Sequence, residues 1–323
     1  MKKLLASLLC LMLCLSCVSA FADEKLYIGV IQQMDHVALN AARDGFIAAL
    51  KDNGYIDGEN ITLNIQNGQG EMSNLATIAD VFVGDNADLV LAIATNAATT
   101  MATKTINNPI PVLGTAITDY VEPGLVESNE KPGYNISGTS DMNPVDAQIA
   151  LIQELFPETK TVGVLYTSSE ANSVLQAKMA KESIEKKGMQ YVEVTVANTN
   201  DVQQATQQIV QMCDAIYIPT DNVFAASMPA VLSVTQNSKT PVIPGESGMT
   251  MSGGLCTLGI SYYDLGYETG LMAVKVLQGA NISEMPVQFA TTGFEYCFNK
   301  TVADMIGFEI PEKYLPYAQE MAE

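Results

Sequence analysis

The chain has 323 residues, 36 acidic against 16 basic side chains and a formal net charge of −20, with six cysteines, one histidine and no tryptophan. Acidity on this scale excludes a nucleic-acid partner, which needs a basic stripe, and attraction to anionic lipid. A single histidine without an HExxH motif excludes an all-histidine zinc site, and neither metal nor cofactor is expected.

In chain order, Lys2 and Lys3, an apolar run from Leu4 to Leu15 and the small-x-small site Ala20-Phe21-Ala22 have the layout of a secretory signal. The run is too short to span a bilayer, so cleavage after Ala22 is expected to release a mature chain of about 300 residues. Cleavage takes the net charge from −20 to −22 and places the protein in the periplasm or an equivalent extracytoplasmic space. Lipid anchoring through Cys17 is the less favoured alternative, because Cys14-Leu15-Ser16-Cys17 has no leucine three residues before the cysteine. Cys213, Cys256 and Cys297 remain, an odd number too widely spaced for a CxxC site or a readable disulfide framework.

The mature sequence then repeats one α/β unit. The first copy runs from a strand at Leu26 to Ile31 through a helix near Ala38 to Lys51, a strand at Ile61 to Ile65 and a helix at Ser73 to Val83. It closes with a buried strand, 89–94, that empties into Thr95-Asn96. A short strand at Val112 to Gly114, a loop from Thr115 to Lys131 and a strand at Tyr134 to Thr139 follow, with the first crossing between lobes near Thr139 to Met142 and Gly138 as its hinge. Pro144 then opens a helix, where its missing N–H costs nothing. The second copy has strands at Val162 to Tyr166, Tyr191 to Val196 and Ala215 to Pro219, and helices at Asn172 to Lys187 and Val202 to Met212. Beyond it come strands within 241–246 and 253–260, a helix from Tyr262 to Gln278 with a core stripe, a strand pair at Val287 to Phe289 and Phe294 to Phe298, and a helix at Thr301 to Ile306.

This alternation predicts an α/β protein of two doubly wound parallel-sheet lobes, whose crevices lie beyond the carboxyl ends of the strands. Joined by a multi-strand hinge, the lobes form a clamp. The expected boundaries are a signal at 1–22, one lobe from 23–140 plus 262–283, and the other from 141–261 plus 284–323.

No GxGxxG follows a strand, no Walker-type loop is present, and Gly245-Glu246-Ser247-Gly248-Met249 breaks the GxSxG elbow at its last position. An enzyme is therefore not expected, a two-carboxylate hydrolase being the rival. What the sequence does carry is polar residues at strand ends and helix starts. These are Gln32, Gln33, Asp35 and His36, Thr95 and Asn96, Thr115 and Asp119 in the first half. Ser169, Asn172 and Ser173, Asp221 and Asn222, and Glu246 match them in the second. Hydroxyls and free amides at a helix start suit a carboxylate, and an acid on the facing lobe suits an ammonium, so the ligand read here is an amino acid. Thr95, Thr115, Ser169 and Asn172 are the carboxylate and orientation candidates, Asp221 and Glu246 the ammonium candidates. Helix capping is the competing use of Thr95, Ser169, Asp221 and Asn222, and of Asp141 ahead of the Pro144 helix. Met34 or Phe224 is placed to stack on an apolar or aromatic ligand, with Tyr217 assigned to the core. Urea, a nucleoside or a sugar is the alternative guest.

Gly29-Val30-Ile31-Gln32 with Asp44-Gly45-Phe46, then 135–141, Glu170-Ala171-Asn172-Ser173, 217–222 and Tyr262-Tyr263-Asp264-Leu265-Gly266 together resemble the substrate-binding proteins of ABC importers, and within them the tryptophan- and tyrosine-binding type. The resemblance spans the mature chain. It implies the type I periplasmic-binding clamp with three crossings, a monomer that closes on an aromatic or large apolar amino acid, and partners in the permease and ATPase subunits of an importer.

Overall fold

The computed structural model describes residues 25–290 and 293–321; the expected signal segment, 1–22, lies outside them. The first half contains β1 (Leu26–Gln32), α1 (Val37–Asp52), β2 (Ile61–Asn67), α2 (Met72–Gly84), β3 (Leu89–Ile93), α3 (Thr95–Lys104), β4 (Val112–Ile117) and β5 (Ile136–Ser140). The second contains α4 (Val145–Leu155), β6 (Thr161–Thr167), α5 (Ala171–Lys186), β7 (Gln190–Val196), α6 (Val202–Ile209), β8 (Ala215–Ile218), α7 (Asn222–Ala225), α8 (Met228–Ser238), β9 (Val242–Pro244), α9 (Ser247–Met251) and β10 (Cys256–Gly259). The chain ends with α10 (Tyr262–Leu277), β11 (Gln288–Phe289), β12 (Glu295–Asn299), α11 (Lys300–Ile306) and β13 (Ala318–Gln319).

One sheet has the order β11-β5-β4-β3-β1-β2 and a second β7-β6-β8-β9, each wholly parallel. β10, β12 and β13 form a third, small mixed sheet. Central strands such as β3, LVLAI, are buried along their whole length because helices cover both faces, which is why they read as unbroken apolar runs. The two large sheets define two α/β lobes, and the chain crosses between them after β5, after β10 and after β11. No helix among the described residues is long and apolar enough to cross a membrane.

Two sequence expectations need correction. Val287 to Phe289 and Phe294 to Phe298 do not pair with each other: β11 extends the first sheet beside β5, while β12 runs antiparallel to β10. Gln288 and Phe289 therefore lie in the first lobe, whereas sequence places 284–323 in the second. Nearness along the chain implied a hairpin, but the third crossing runs between these strands. The second concerns α3, of which sequence marks only the start at Thr95-Asn96 and not the extent, its threonines being poor helix formers. Thr99, Thr100 and Thr103 direct their hydroxyls back to the carbonyls of Thr95, Asn96 and Thr99, which satisfies them inside the helix.

Helix α10 returns from the second lobe to pack along α1, and the approach is closest at Gly266. A Cβ there would sit 1.8 Å from the Ala42 carbonyl oxygen. Gly266→Ala is expected to force the helices apart at an overpacking cost of about 1–3 kcal/mol, measured as a lower denaturation midpoint. Gly138, on β5 just before the first crossing, has φ +153 and would place a Cβ 2.0 Å from the Gly114 carbonyl, so only glycine fits.

Candidate functional site

The carboxyl ends of both parallel sheets face each other across the gap between lobes. Ala94 and Ala116, at the ends of β3 and β4, hold φ of 82° and 56°, conformations that non-glycine residues adopt at a cost. Ala116 borders this gap, and Ala94 directly precedes Thr95, which does. Four of the five buried side-chain polar atoms without a partner among the described residues also stand at the cleft or its first crossing: Gln33 Oε1, His36 Nδ1, Thr95 Oγ1 and Asn143 Oδ1. A cavity of about 710 Å3 on the flank of the first lobe has no charged side chain in its lining and does not meet this chemistry.

The lobes are drawn together. Gln33 Nε2 of the first lobe donates to Glu170 Oε1 of the second at 2.9 Å, and His36 Nε2 lies 3.1 Å from Asn222 Oδ1. Gln176 Nε2 of the second lobe donates to Thr118 Oγ1 of the first at 3.2 Å. These bonds enclose a small pocket walled by His36, Asp141, Asn172, Asp221, Asn222 and Glu246, with Leu39, Ala116, Ala225, Met249 and Tyr262 as its less polar surface. Asn172 also borders a second opening, where Thr95 and Asp119 of the first lobe face Ala171 and Leu175 of the second.

Asp141, Glu170, Asp221 and Glu246 are all at most 2% exposed, and none of them is ion-paired among the described residues. Neutral donors serve them instead. Asp141 accepts from Tyr262 Oη at 2.7 Å and Thr118 Oγ1 at 3.0 Å. Glu246 caps α9, accepting from the amides of Gly248 and Met249. Glu170 accepts from Gln33, Asn172, Ser173 and both the backbone and the side-chain nitrogens of Asn222. Burial pushes Glu246 up to about 7, with nearby Asp141 adding to the rise and the two capping amides opposing it. Burial, then the neighbouring Asp221 carboxylate, pushes Glu170 up to about 7. Burial likewise raises Asp141 and Asp221, against their hydrogen bonds. A concentration of uncompensated buried acid is costly unless a cation arrives to pair with it.

The residues singled out from sequence are distributed as follows. His36, Asn172, Asp221, Asn222 and Glu246 line the pocket, and Thr95, Asp119 and Asn172 border the adjoining opening. Ser173 is buried behind them as a donor to Glu170. Asn96 is half-buried at the start of α3. Four residues do not reach the pocket. Ser169 and Asp35 are exposed, because the turns that carry them point outward. Gln32 is tied into its own loop by bonds to Met34 O, Asp35 and Asn40. Thr115 joins a hinge-side hydroxyl chain with Thr139 and Thr269. Of the stacking candidates, Met34 is buried outside the pocket lining and Phe224 is core; Tyr217 is core, as sequence assigns it, with its Oη donating to Gln148. Asp141 does not cap the helix after Pro144, whose N-terminus has no side-chain cap.

Asp221 answers capping more than ligand contact. It caps α7 through Phe224 N and also takes Thr167 N and Thr167 Oγ1, all within the second lobe. Sequence passes over Glu170 and Tyr262 as site residues and weighs Asp141 only as a cap, while Gln33, noted after the first strand, is not carried into the ligand-contact set. The signal available was local: Asp141 and Glu170 are acids placed at strand-to-helix turns. Among the described residues no cluster of histidine, cysteine, aspartate and glutamate is placed to hold a metal, and all three cysteines are free thiols.

A family model described as ABC transporter substrate binding protein matches residues 27–322. The chain belongs to the ABC transporter substrate-binding protein family. Its members are extracytoplasmic solute-binding proteins rather than enzymes, and its fold is the α/β type I periplasmic-binding clamp. A tyrosine-binding protein of Clostridioides difficile is 42% identical over 260 residues, covering 80% of this chain and 75% of that one. A crystal structure of an ABC domain from Streptococcus pneumoniae in complex with L-Trp is 37% identical, covers 92% of this chain and 99% of its own, and superposes with a TM-score of 0.86. The ligand-free, open structure of a substrate-binding protein with adhesive properties from Clostridium difficile is 40% identical, covering 92% and 100%, yet scores 0.70. Higher identity with a lower score is what a different angle between conserved lobes produces. With three direct bonds across the gap, this family member stands closed.

Proposed function

We propose that this protein is a receptor that captures an aromatic amino acid between its lobes and hands it to the permease of an ABC importer. The observation that carries the reading is the pair of buried acids, Asp141 and Glu246, facing the interlobe pocket without a cation. An α-ammonium supplies that charge, and two acids at one point discriminate against neutral sugars, nucleosides and urea. For the α-carboxylate, the start of α3 offers backbone amides with no capping side chain, a positive dipole end and the unpartnered Oγ1 of Thr95, with Asn172 opposite. The pocket holds only about 10 Å3 as it stands, so the ligand's side chain would enter by moving apart its apolar wall of Leu39, Ala116, Ala225 and Met249. The relatives named for tyrosine and solved with tryptophan support an aromatic guest. A signal cleaved after Ala22 is the export route that fits an extracytoplasmic receptor, and capture by hinge closure is the way the clamp would hold its ligand.

Calorimetric titration of refolded, ligand-stripped protein with amino acids, sugars and nucleosides is expected to give tight binding for aromatic amino acids alone. Saturation with one should raise the unfolding midpoint by mass action. Binding of a neutral solute with no response to any amino acid would overturn the reading.

A further inference from the structure

His36 is the only histidine in the chain and lines the interlobe pocket, yet its Nδ1 is buried and has no partner among the described residues. It sits at the N-cap position of α1 without capping it; the ring instead reaches across to Asn222. Its protonation is set from behind. Asn222 turns Nδ2 to the Glu170 carboxylate at 2.9 Å, beside its own backbone N–H at 3.0 Å on the same oxygen. The reverse amide orientation would set oxygen against carboxylate oxygen, so Asn222 Oδ1 faces the imidazole and needs a hydrogen on Nε2. Burial lowers the His36 pKa to about 4, which keeps the ring neutral. A neutral imidazole with its proton on Nε2 presents only a lone pair at Nδ1.

We propose that Nδ1 of His36 accepts a hydrogen bond from a donor on the ligand's ring, so that the receptor takes tyrosine or tryptophan in preference to phenylalanine. Asn222 and Glu170 act as positioning residues that fix the tautomer. This rests on the aromatic amino-acid reading above. Phenol O–H and indole N–H are ring-borne donors, and phenylalanine has neither. A site that has buried an acceptor rejects the analogue that leaves it bare. The ligand's ammonium is a rival donor, but the carboxylates of Asp141 and Glu246 in the same pocket outcompete a neutral imidazole for it.

The test compares L-tyrosine, L-tryptophan and L-phenylalanine by calorimetry on ligand-stripped protein, alongside nitrogen NMR of the single labelled histidine. Phenylalanine is expected to bind at least about tenfold more weakly than the better of the other two. The spectrum should show the Nε2–H tautomer, with Nδ1 shifting on addition of whichever donor ligand binds and not with phenylalanine. His36→Gln keeps a donor toward Asn222 but has nothing at Nδ1, and should bring the affinities together. His36→Asn places an amide oxygen near the Nδ1 position and should retain the preference. Asn222→Leu should mix the tautomers and weaken the preference. Equal wild-type affinities, a proton found on Nδ1, or a preference unchanged in His36→Gln would each overturn the role of His36 and leave the amino-acid reading standing. If none of the three ligands binds while another solute does, the amino-acid reading falls and this inference falls with it.

Discussion

Glu246→Gln and Asp141→Asn are each expected to lose about 2–5 kcal/mol of amino-acid binding while leaving the ligand-free protein no less stable. Both acids are at most 2% exposed and have neutral donors only, so the ligand's ammonium is the charge that completes them. Without it, an ionised Glu246 is a liability. Its pKa stands near 7 in the closed protein, above the usual 4.5 of an exposed glutamate. The direction of that shift fixes the sign: a raised carboxylate gives its full contribution to stability below about 4.5 and loses it as pH rises through 7. Near pH 7.5 the wild type therefore carries a burden on the order of 2–3 kcal/mol that Glu246→Gln removes, less whatever the amide loses in capping Gly248 and Met249. Denaturation midpoints should rise or hold while calorimetric binding collapses. Asp221→Asn separates the two roles, because Asp221 already serves Thr167 and Phe224 in its own lobe. That variant should lose stability with a smaller change in affinity. Undiminished binding in both Glu246→Gln and Asp141→Asn would place the ammonium elsewhere.

The scaffold was legible because its signals are local. A buried parallel strand such as Leu89–Ile93 is an unbroken apolar run, and a helix such as Tyr262–Leu277 shows its apolar stripe whatever surrounds it. What sequence missed depends on distant partners. Helix Thr95–Lys104 hides behind threonines whose hydroxyls are satisfied only once the helix exists. The final strands looked like a hairpin, although each finds its partner in a different lobe. At the site, the residue types at strand ends marked the right rim but not which side chains turn inward. Ser169 and Asn172 stand three residues apart on one turn, the first exposed and the second buried against Thr220 O. Asp141 and Glu170 looked like ordinary turn acids. Their meaning comes from Tyr262, 121 residues away, and from Gln33, 137 residues away.

Affinity is expected to fall on acidification from about pH 6.5, approaching tenfold per unit toward pH 4, and to be flat above neutrality. In the closed protein, burial lowers His36 to about 4, although the Asn222 bond and the exposed Asp35 both favour its charged form. In an open cleft the same ring meets water and returns toward 6.5. A pKa depressed by closure means the open form holds the proton, so closure is fully favoured above 6.5 and opposed as pH falls toward 4. The facing acids act in the other direction on the empty clamp. Glu246, near 7 when closed, and Asp141, raised by the same burial, take up protons as pH falls and make ligand-free closure easier, while a protonated Glu246 can no longer hold an ammonium. Acid should therefore uncouple the two events, with the ligand-free protein growing more compact in solution scattering as calorimetric affinity declines. His36→Gln removes the imidazole and should flatten the limb between 6.5 and 5, leaving only the carboxylate-dependent loss at lower pH. An affinity unchanged from pH 7.5 to 5 in the wild type would mean that His36 does not enter a closed cleft when ligand binds.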